Sequence, residues 1–332
     1  MSRTAAPSPS VPGSPERGGP RASRGGQAPA PLPVRPVAGA FVLFLSTWAL
    51  SALDASGKWV MAGGAPLLVL CWIRYAGHLL LVTALIVPVR GWGAVRSVAP
   101  RNQMLRGGAM LCATLMFFAT LSYLPQAEAT SINFLAPLIM LAAAPWALGE
   151  TPRASRWIAA LAGLLGVLIV VRPGGGLDPR GVALGLVTAV LFALQFLATR
   201  RVAVDHPLTT LIWSGLVGTV GLSASLLFAW PSLWPALQAL EARHWLVMAS
   251  TGVTGSLGHL LQIQAYRYAP ASLLAPCVYL QIVSAATLGW LIWGHFPDAL
   301  TWLGIAIVCA SGAGIAVHEW RRATLQPAAR GK

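Results

Sequence analysis

Four ionisable residues stand inside long apolar runs, in two pairs of equal spacing: Asp54 with Lys58, and Arg74 with His78. A charge at the centre of a bilayer costs about 2.5–3.5 kcal/mol on insertion scales, so each needs an opposite charge, a hydrogen-bonding partner or a wet cavity. Residues four apart share one face of a helix, so each run offers two polar groups to one neighbour. Asp54 lies about eight residues before the end of its run and Arg74 about eight residues into the next, which sets them at one depth. The expectation is an Asp54–Arg74 ion pair with Lys58 beside it, locking the two helices together.

A second set of polar residues surrounds a proline. Pro137 sits within an apolar run, where its ring removes an amide donor and clashes with the carbonyl of Asn133, freeing that carbonyl. Thr130 and Ser131 add polar atoms nearby. Further along, Gln262 with His259 one turn away, then Tyr279 and Gln281, are the polar positions of later runs. Asn133, Tyr279, Gln281, Gln262, His259 and His78 are therefore candidate substrate contacts, with Asn133 expected to face Tyr279 and Gln281 across two helices. Hydrogen bonding between helices is the competing account of the same residues. Glu128, at the start of its run, reads as a solvated helix-start carboxylate rather than a proton carrier.

The elements that position these residues are apolar and long. The 332 residues are 56% hydrophobic and only 10% charged, far from the usual quarter of charged residues in soluble domains. Apolar segments cover about 37–62, 66–88, 104–124, 126–148, 156–172, 180–199, 208–230, 245–266, 271–293 and 300–318, each near the length that crosses a hydrocarbon core of about 30 Å. Ten transmembrane helices are expected. Residues 1–36 are rich in Pro, Gly, Ser and Arg and cannot bury enough surface to offset ordering, so they read as a disordered tail. Nothing there resembles a cleaved secretory signal.

The net charge of +14 reads as topology rather than nucleic-acid binding, since the basic residues fall in short loops and tails. With the N-terminus inside, eighteen of the 23 Lys and Arg lie in the tails and the loops around Arg90–Arg106, Arg153–Arg156, Arg200–Arg201 and Arg267. The opposite loops keep Arg172, Arg180 and Arg243. The positive-inside rule then places a multi-pass protein in the cytoplasmic membrane with both termini cytoplasmic. Cys71, Cys112, Cys277 and Cys309 all fall in apolar runs without metal-site or redox spacing, so no metal and no cofactor is expected.

Sliding the sequence by 145 residues aligns Tyr123 with Tyr268, Pro125 with Pro270, Gly149 with Gly294, Pro152 with Pro297, and Trp157 with Trp302. The shift passes five spans, an odd number, so matched helices run in opposite directions, as in the inverted repeats of many secondary transporters. The expected organisation is a tail over 1–36, a first five-helix repeat over 37–174, a second over 179–318 and a cytoplasmic tail over 319–332. Small residues four apart, Ala159 with Gly163, Ala162 with Gly166, and Ala306, Ala310 and Gly314, point to close helix packing.

Asn133, Pro137, Gly149, Glu150, Gly163 and Gly166 in the first half, and Tyr279, Gln281, Gly289, Gly294, Pro297, Asp298, Thr301 and Gly304 in the second, resemble the drug/metabolite transporter superfamily. The likeness is to its branch with two EamA-type domains of five helices each, and it spans nearly all of 37–318. His295 replaces the usual Glu of the second Gly-Glu turn, and Ile282 stands where the repeat would place a second Pro137. The resemblance implies alternating access, a cavity between the halves, and small metabolites or drugs as substrates. It also implies an Asp, Lys and Arg recurring at the positions of Asp54, Lys58 and Arg74, so that the pair would close an outer gate or hold a charged part of the substrate.

The function read from this pattern is membrane transport of a small molecule, its partners being that substrate and the bilayer, without nucleic acid. A non-transporting membrane scaffold is the alternative. An intramembrane enzyme ranks below both, since the chain has no G-x-S-x-G, H-E-x-x-H, P-loop or G-x-G-x-x-G, and its six histidines are scattered.

Overall fold

The computed structural model describes residues 35–149, 153–172, 176–269, 274 and 277–325. The tail expected over 1–36 therefore lies almost wholly outside the described residues, as do Glu150, Pro152 and Pro270.

Among the described residues the fold is all-helical, without a strand. The helices are α1 (Pro36–Ala62), α2 (Leu67–Arg90), α3 (Pro100–Tyr123), α4 (Gln126–Asn133), α5 (Leu135–Leu148) and α6 (Ala154–Val171). They continue as α7 (Pro179–Arg201), α8 (Pro207–Gln238), α9 (Ala242–Tyr268), α10 (Leu280–Trp293) and α11 (Ala299–Leu325). Proline opens α1, α3, α7 and α8, where its missing amide would have no partner in any case. Gly149 and Gly294 close α5 and α10 with φ of 67° and 70°, the left-handed end that glycine adopts without strain.

Each of the ten expected runs is helical in whole or part, and eight helices are long and apolar enough to span a membrane, α4 and α5 counting together as Gln126–Ala147. The other two are α9 and α10. The 27 residues of α9 include Ser256, His259, Gln262 and Gln264, which lower its hydropathy; α10 has 14 residues. The last helix runs on to Leu325, through residues expected as tail, and α8 reaches Gln238 rather than stopping near 230.

The break expected at Pro137 falls between Asn133 and Leu135. Phe134 (φ −68°, ψ −2°) closes α4 and begins α5, so Pro137 occupies the first turn of α5, the one part of a helix that loses little by lacking an amide donor.

Two registers 145 residues apart carry matching elements. α5 and α10 share their bounds under that shift, and α6 and α11 share their first residue. The contacts match too: α1 packs on α9 as α7 does on α3, and α2 packs on α9 as α8 does on α3. α1 meets α10 as α7 meets α5, while α2 with α8 and α6 with α11 are self-matching pairs. α6 and α11 meet closely because a Cβ at Gly166 would lie 2.8 Å from the Gly304 carbonyl oxygen, and one at Gly304 would lie 2.6 Å from that of Gly166.

Candidate functional site

The geometry of the site starts from a contact between two backbones. A Cβ on Gly252 of α9 would lie 3.0 Å from the Cα of Gly77 on α2, so glycine at both positions lets the two helices touch. On α2 the neighbouring turn carries Arg74, Tyr75 and His78; on α9 it carries Gly255, Ser256 and His259. Spacings of three and four residues place each set on one face, and the two faces close on one another.

Arg74 is 9% exposed. Its Nη1 donates to Thr114 Oγ1 of α3 at 3.3 Å, and Tyr75 shares that hydroxyl at 2.9 Å. The guanidinium stands 5.0 Å from the Tyr75 ring centre and 5.9 Å from that of Phe118, distances at which ring faces stabilise a cation. Its Nε is buried and has no hydrogen-bond partner. His78 Nδ1 lies 2.9 Å from Ser256 Oγ and Nε2 lies 3.3 Å from the Leu211 carbonyl. With its hydrogen on Nε2 the neutral ring donates to the carbonyl, and its Nδ1 competes with the Gly252 carbonyl, 2.7 Å from Ser256 Oγ, for the single hydroxyl hydrogen. His259 meets His78 edge-on with ring centres 6.0 Å apart, and its Nε2 is also buried without a partner. Arg74, Tyr75, His78, Met110, Ser214, Gly255 and His259 line one cavity, whose free space takes no more than about one water.

The expected Asp54–Arg74 ion pair does not form among the described residues. Asp54 is buried in the same region and feels the charge of Arg74, and the two lie at similar distances from the α1–α2 connection, as anticipated. The reason for the difference is packing: consecutive helices α1 and α2 scarcely touch, because α9 packs against both. Lys58 is drawn elsewhere. Its ammonium donates to the Leu124 carbonyl at the end of α3, the negative end of a helix, and stands 5.4 Å from the Trp293 ring centre.

A second polar patch sits at the two helix breaks. Phe134 and Tyr279, which are 145 residues apart and each begin a new helix, place their ring centres 4.9 Å apart. Beside them the side-chain oxygens of Thr130 and Asn133 are buried without partners. The Tyr279 hydroxyl points into α11, where a Cβ on Gly312 would lie 1.3 Å from it; it is not aimed at Asn133. The Gln281 carbonyl accepts from Ser51 of α1 at 3.3 Å, and its side chain is half-buried, as is that of Gln262, one turn along α9 from His259. Ser51 also bonds Ser284 at 2.6 Å, and Gln126 donates to the Ser51 carbonyl at 2.8 Å, which joins α1, α4 and α10.

Tyr75, Thr114, Ser256, Ser214 and Arg106 escape the sequence reading. Arg106 donates from Nε to Thr199 at 2.9 Å and from Nη1 to Ser214. Its place near the start of α3 assigns it to a loop by charge alone, although its side chain folds back between helices.

Residues 179–317 match the EamA-like transporter family. The pseudopaline exporter CntI of Pseudomonas aeruginosa is 27% identical over 278 residues, covering 82% of this chain and 94% of that protein. The riboflavin transporter of Rhizobium johnstonii is 25% identical over 295 residues, covering 87% and 94%. The S-adenosylmethionine uptake transporter of Rickettsia bellii is 24% identical over 218 residues, covering 66% and 73%. A crystal structure with 22% sequence identity superposes with a TM-score of 0.59 over 86% of this chain and 99% of that one, a likeness of fold.

Proposed function

We propose that this chain, whose residues 179–317 match the EamA-like transporter family and which is similar over most of its length to named transporters, moves small metabolites across a membrane by alternating access around the Arg74 cavity, with an anionic group of the substrate held by Arg74. Ten spans form two inverted five-helix repeats, the first over 37–174 and the second over 179–318, with both termini cytoplasmic. The matched bounds of α5 and α10 and the matched contacts of the two halves support the repeat. The excess of basic residues in one set of loops supports the orientation.

One observation carries the substrate assignment: Arg74 is buried, Asp54 feels its charge without bonding to it, and Nε has no partner. An uncompensated buried charge is costly, and a guanidinium matches a carboxylate or phosphate through two parallel hydrogen bonds. His78 and His259 add ring nitrogens to the same wall. The relatives are named for quite different cargoes and for both export and uptake; what they share is a small organic solute. Because the cavity takes about one water as it stands, a solute enters only when helices part, which is what alternation between two open states supplies.

The test is an untargeted metabolite comparison between cells lacking the protein, cells overproducing it, and cells overproducing Arg74→Gln. The expected result is one class of anionic metabolite whose level changes with the protein and is unchanged by the variant. Equal levels in all three, with the protein in the membrane, would contradict transport; a change that persists in Arg74→Gln would contradict the role of Arg74.

A further inference from the structure

At the face made by the ends of α2 and α9 and the start of α8, three basic side chains converge with no carboxylate among them. Arg90 closes α2, Arg267 stands in the last turn of α9, and His206 caps α8. All three are exposed. His206 Nδ1 accepts the Leu208 amide at 3.1 Å, so the neutral ring carries its hydrogen on Nε2. That nitrogen lies 3.0 Å from Arg90 Nη1, which sets donor against donor with no acceptor between. Burial, and then the charges of Arg90 and Arg267, push the His206 imidazole below its usual value. Arg267 has a neutral partner, Gln264 at 3.4 Å. The adjacent carboxylate, Asp205, is already taken by the Ser97 hydroxyl, the Val98 amide at 2.8 Å and Gln103 at 2.8 Å. Neither arginine forms an ion pair among the described residues.

From these groups a groove of about 710 Å³ runs along α9, walled by Leu257, Leu260 and Leu261. The basic groups lie at helix ends and the leucines within the spans, so charge sits at the headgroup level and apolar wall at the level of the acyl chains. We propose that the groove is a site for an anionic phospholipid, its phosphate held by Arg90, His206 and Arg267 and an acyl chain lying along Leu257, Leu260 and Leu261. An inorganic anion would use the basic end and leave the leucines uncovered. A zwitterionic lipid would bring its own cation among three bases. Basic pockets between spanning helices are a known mode of recognising anionic headgroups. The occupant would bridge α2, α8 and α9, the helices that frame the Arg74 cavity, and so resist their parting.

The full-length protein, purified in detergent, is titrated with phosphatidylglycerol, with phosphatidylcholine of the same acyl chains, and with inorganic phosphate, following bound lipid by native mass spectrometry and unfolding by thermal melting. Phosphatidylglycerol is expected to bind about thirtyfold more tightly than phosphatidylcholine and to raise the melting temperature, the preference two arginines near a membrane surface supply. Arg90→Gln with Arg267→Gln removes that preference, while Arg243→Gln, at the other end of α9, keeps it. Equal binding of the two lipids by the unaltered protein overturns the proposal without recourse to any variant. So does a preference retained by the double variant, or protection by inorganic phosphate equal to that by phosphatidylglycerol.

Discussion

The pair α1–α2 and the pair α7–α8 stand 145 residues apart and make matching contacts, the first with α9 and the second with α3, yet their chemistry differs. Asp54, Arg74 and His78 have as counterparts Thr199, Thr219 and Ser223. Two of these hydroxyls serve packing: Thr199 accepts from Arg106 at 2.9 Å and donates to its own helix at 2.8 Å, and Ser223 accepts from Trp72 at 2.8 Å, while that of Thr219 is buried without a partner. Small residues, helix breaks and glycine ends recur in both halves because the same backbone contacts recur. Charge does not recur, which is what the proposed single substrate site between the halves requires.

The sharpest way to break this comparison is to alter matched positions. Arg74→Gln should cost about 3 kcal/mol of substrate binding, the upper range for a hydrogen bond to a charged group, or roughly a hundredfold in affinity. Thr219→Val should leave transport within about twofold, a change under 0.5 kcal/mol. Both are measured as uptake into proteoliposomes at equal protein. If the two variants fall together, the asymmetry has no functional meaning.

A smaller effect is expected where the site meets its scaffold. Gly252→Leu forces a side chain into the Gly77 backbone and should destabilise the protein by about 1–3 kcal/mol, seen as a lower melting temperature, with transport lost because α2 and α9 separate. The aromatic contact between the two breaks is weaker again. Phe134→Leu and Tyr279→Leu, singly and together, should show a coupling of about 0.5–1.5 kcal/mol in a double-mutant cycle; additive losses would mean that the breaks do not support one another.

The smallest effect lies at the surface. Arg172 bonds the exposed carboxylate of Asp298 at 2.5 and 2.6 Å, and this, with the Thr301 amide at 2.8 Å, holds the Asp298 carboxyl well below the usual carboxylate range. A depressed value stabilises the fold fully above pH about 4, the ordinary carboxylate value, and the contribution fades as pH falls further. Arg172→Gln should therefore lower the melting temperature slightly at pH 7 and make the variant less sensitive than the parent to acid below pH 4.

Much of this was legible in the residues. The apolar runs and the glycines at 149 and 294 each dictate local structure where expected, whereas the break expected at Pro137 falls three residues earlier, at Phe134. The partners of Asp54, Arg74 and Lys58 were not legible, since depth can be read by counting from a loop whereas lateral neighbours depend on which helices pack. α9, distant in sequence, stands against both α1 and α2, and it is α3 that supplies Thr114 to Arg74 and the Leu124 carbonyl to Lys58. Thr114 and Ser256 were hidden for a related reason: a single hydroxyl in an apolar run looks like any other until a charged neighbour faces it.

The central claim, a site between the halves that opens to each side in turn, is tested most directly by labelling a single cysteine at Ser256, beside His78. With Cys71 replaced by alanine and Cys112, Cys277 and Cys309 by serine, Ser256→Cys in sealed vesicles of known orientation is exposed to a membrane-impermeant thiol reagent from one side and then, in a separate sample, from the other. The account predicts labelling from both sides, with substrate or an opposing gradient raising one rate as it lowers the other. Labelling from one side only under every condition, or from neither while Arg74 remains essential for transport, would contradict it.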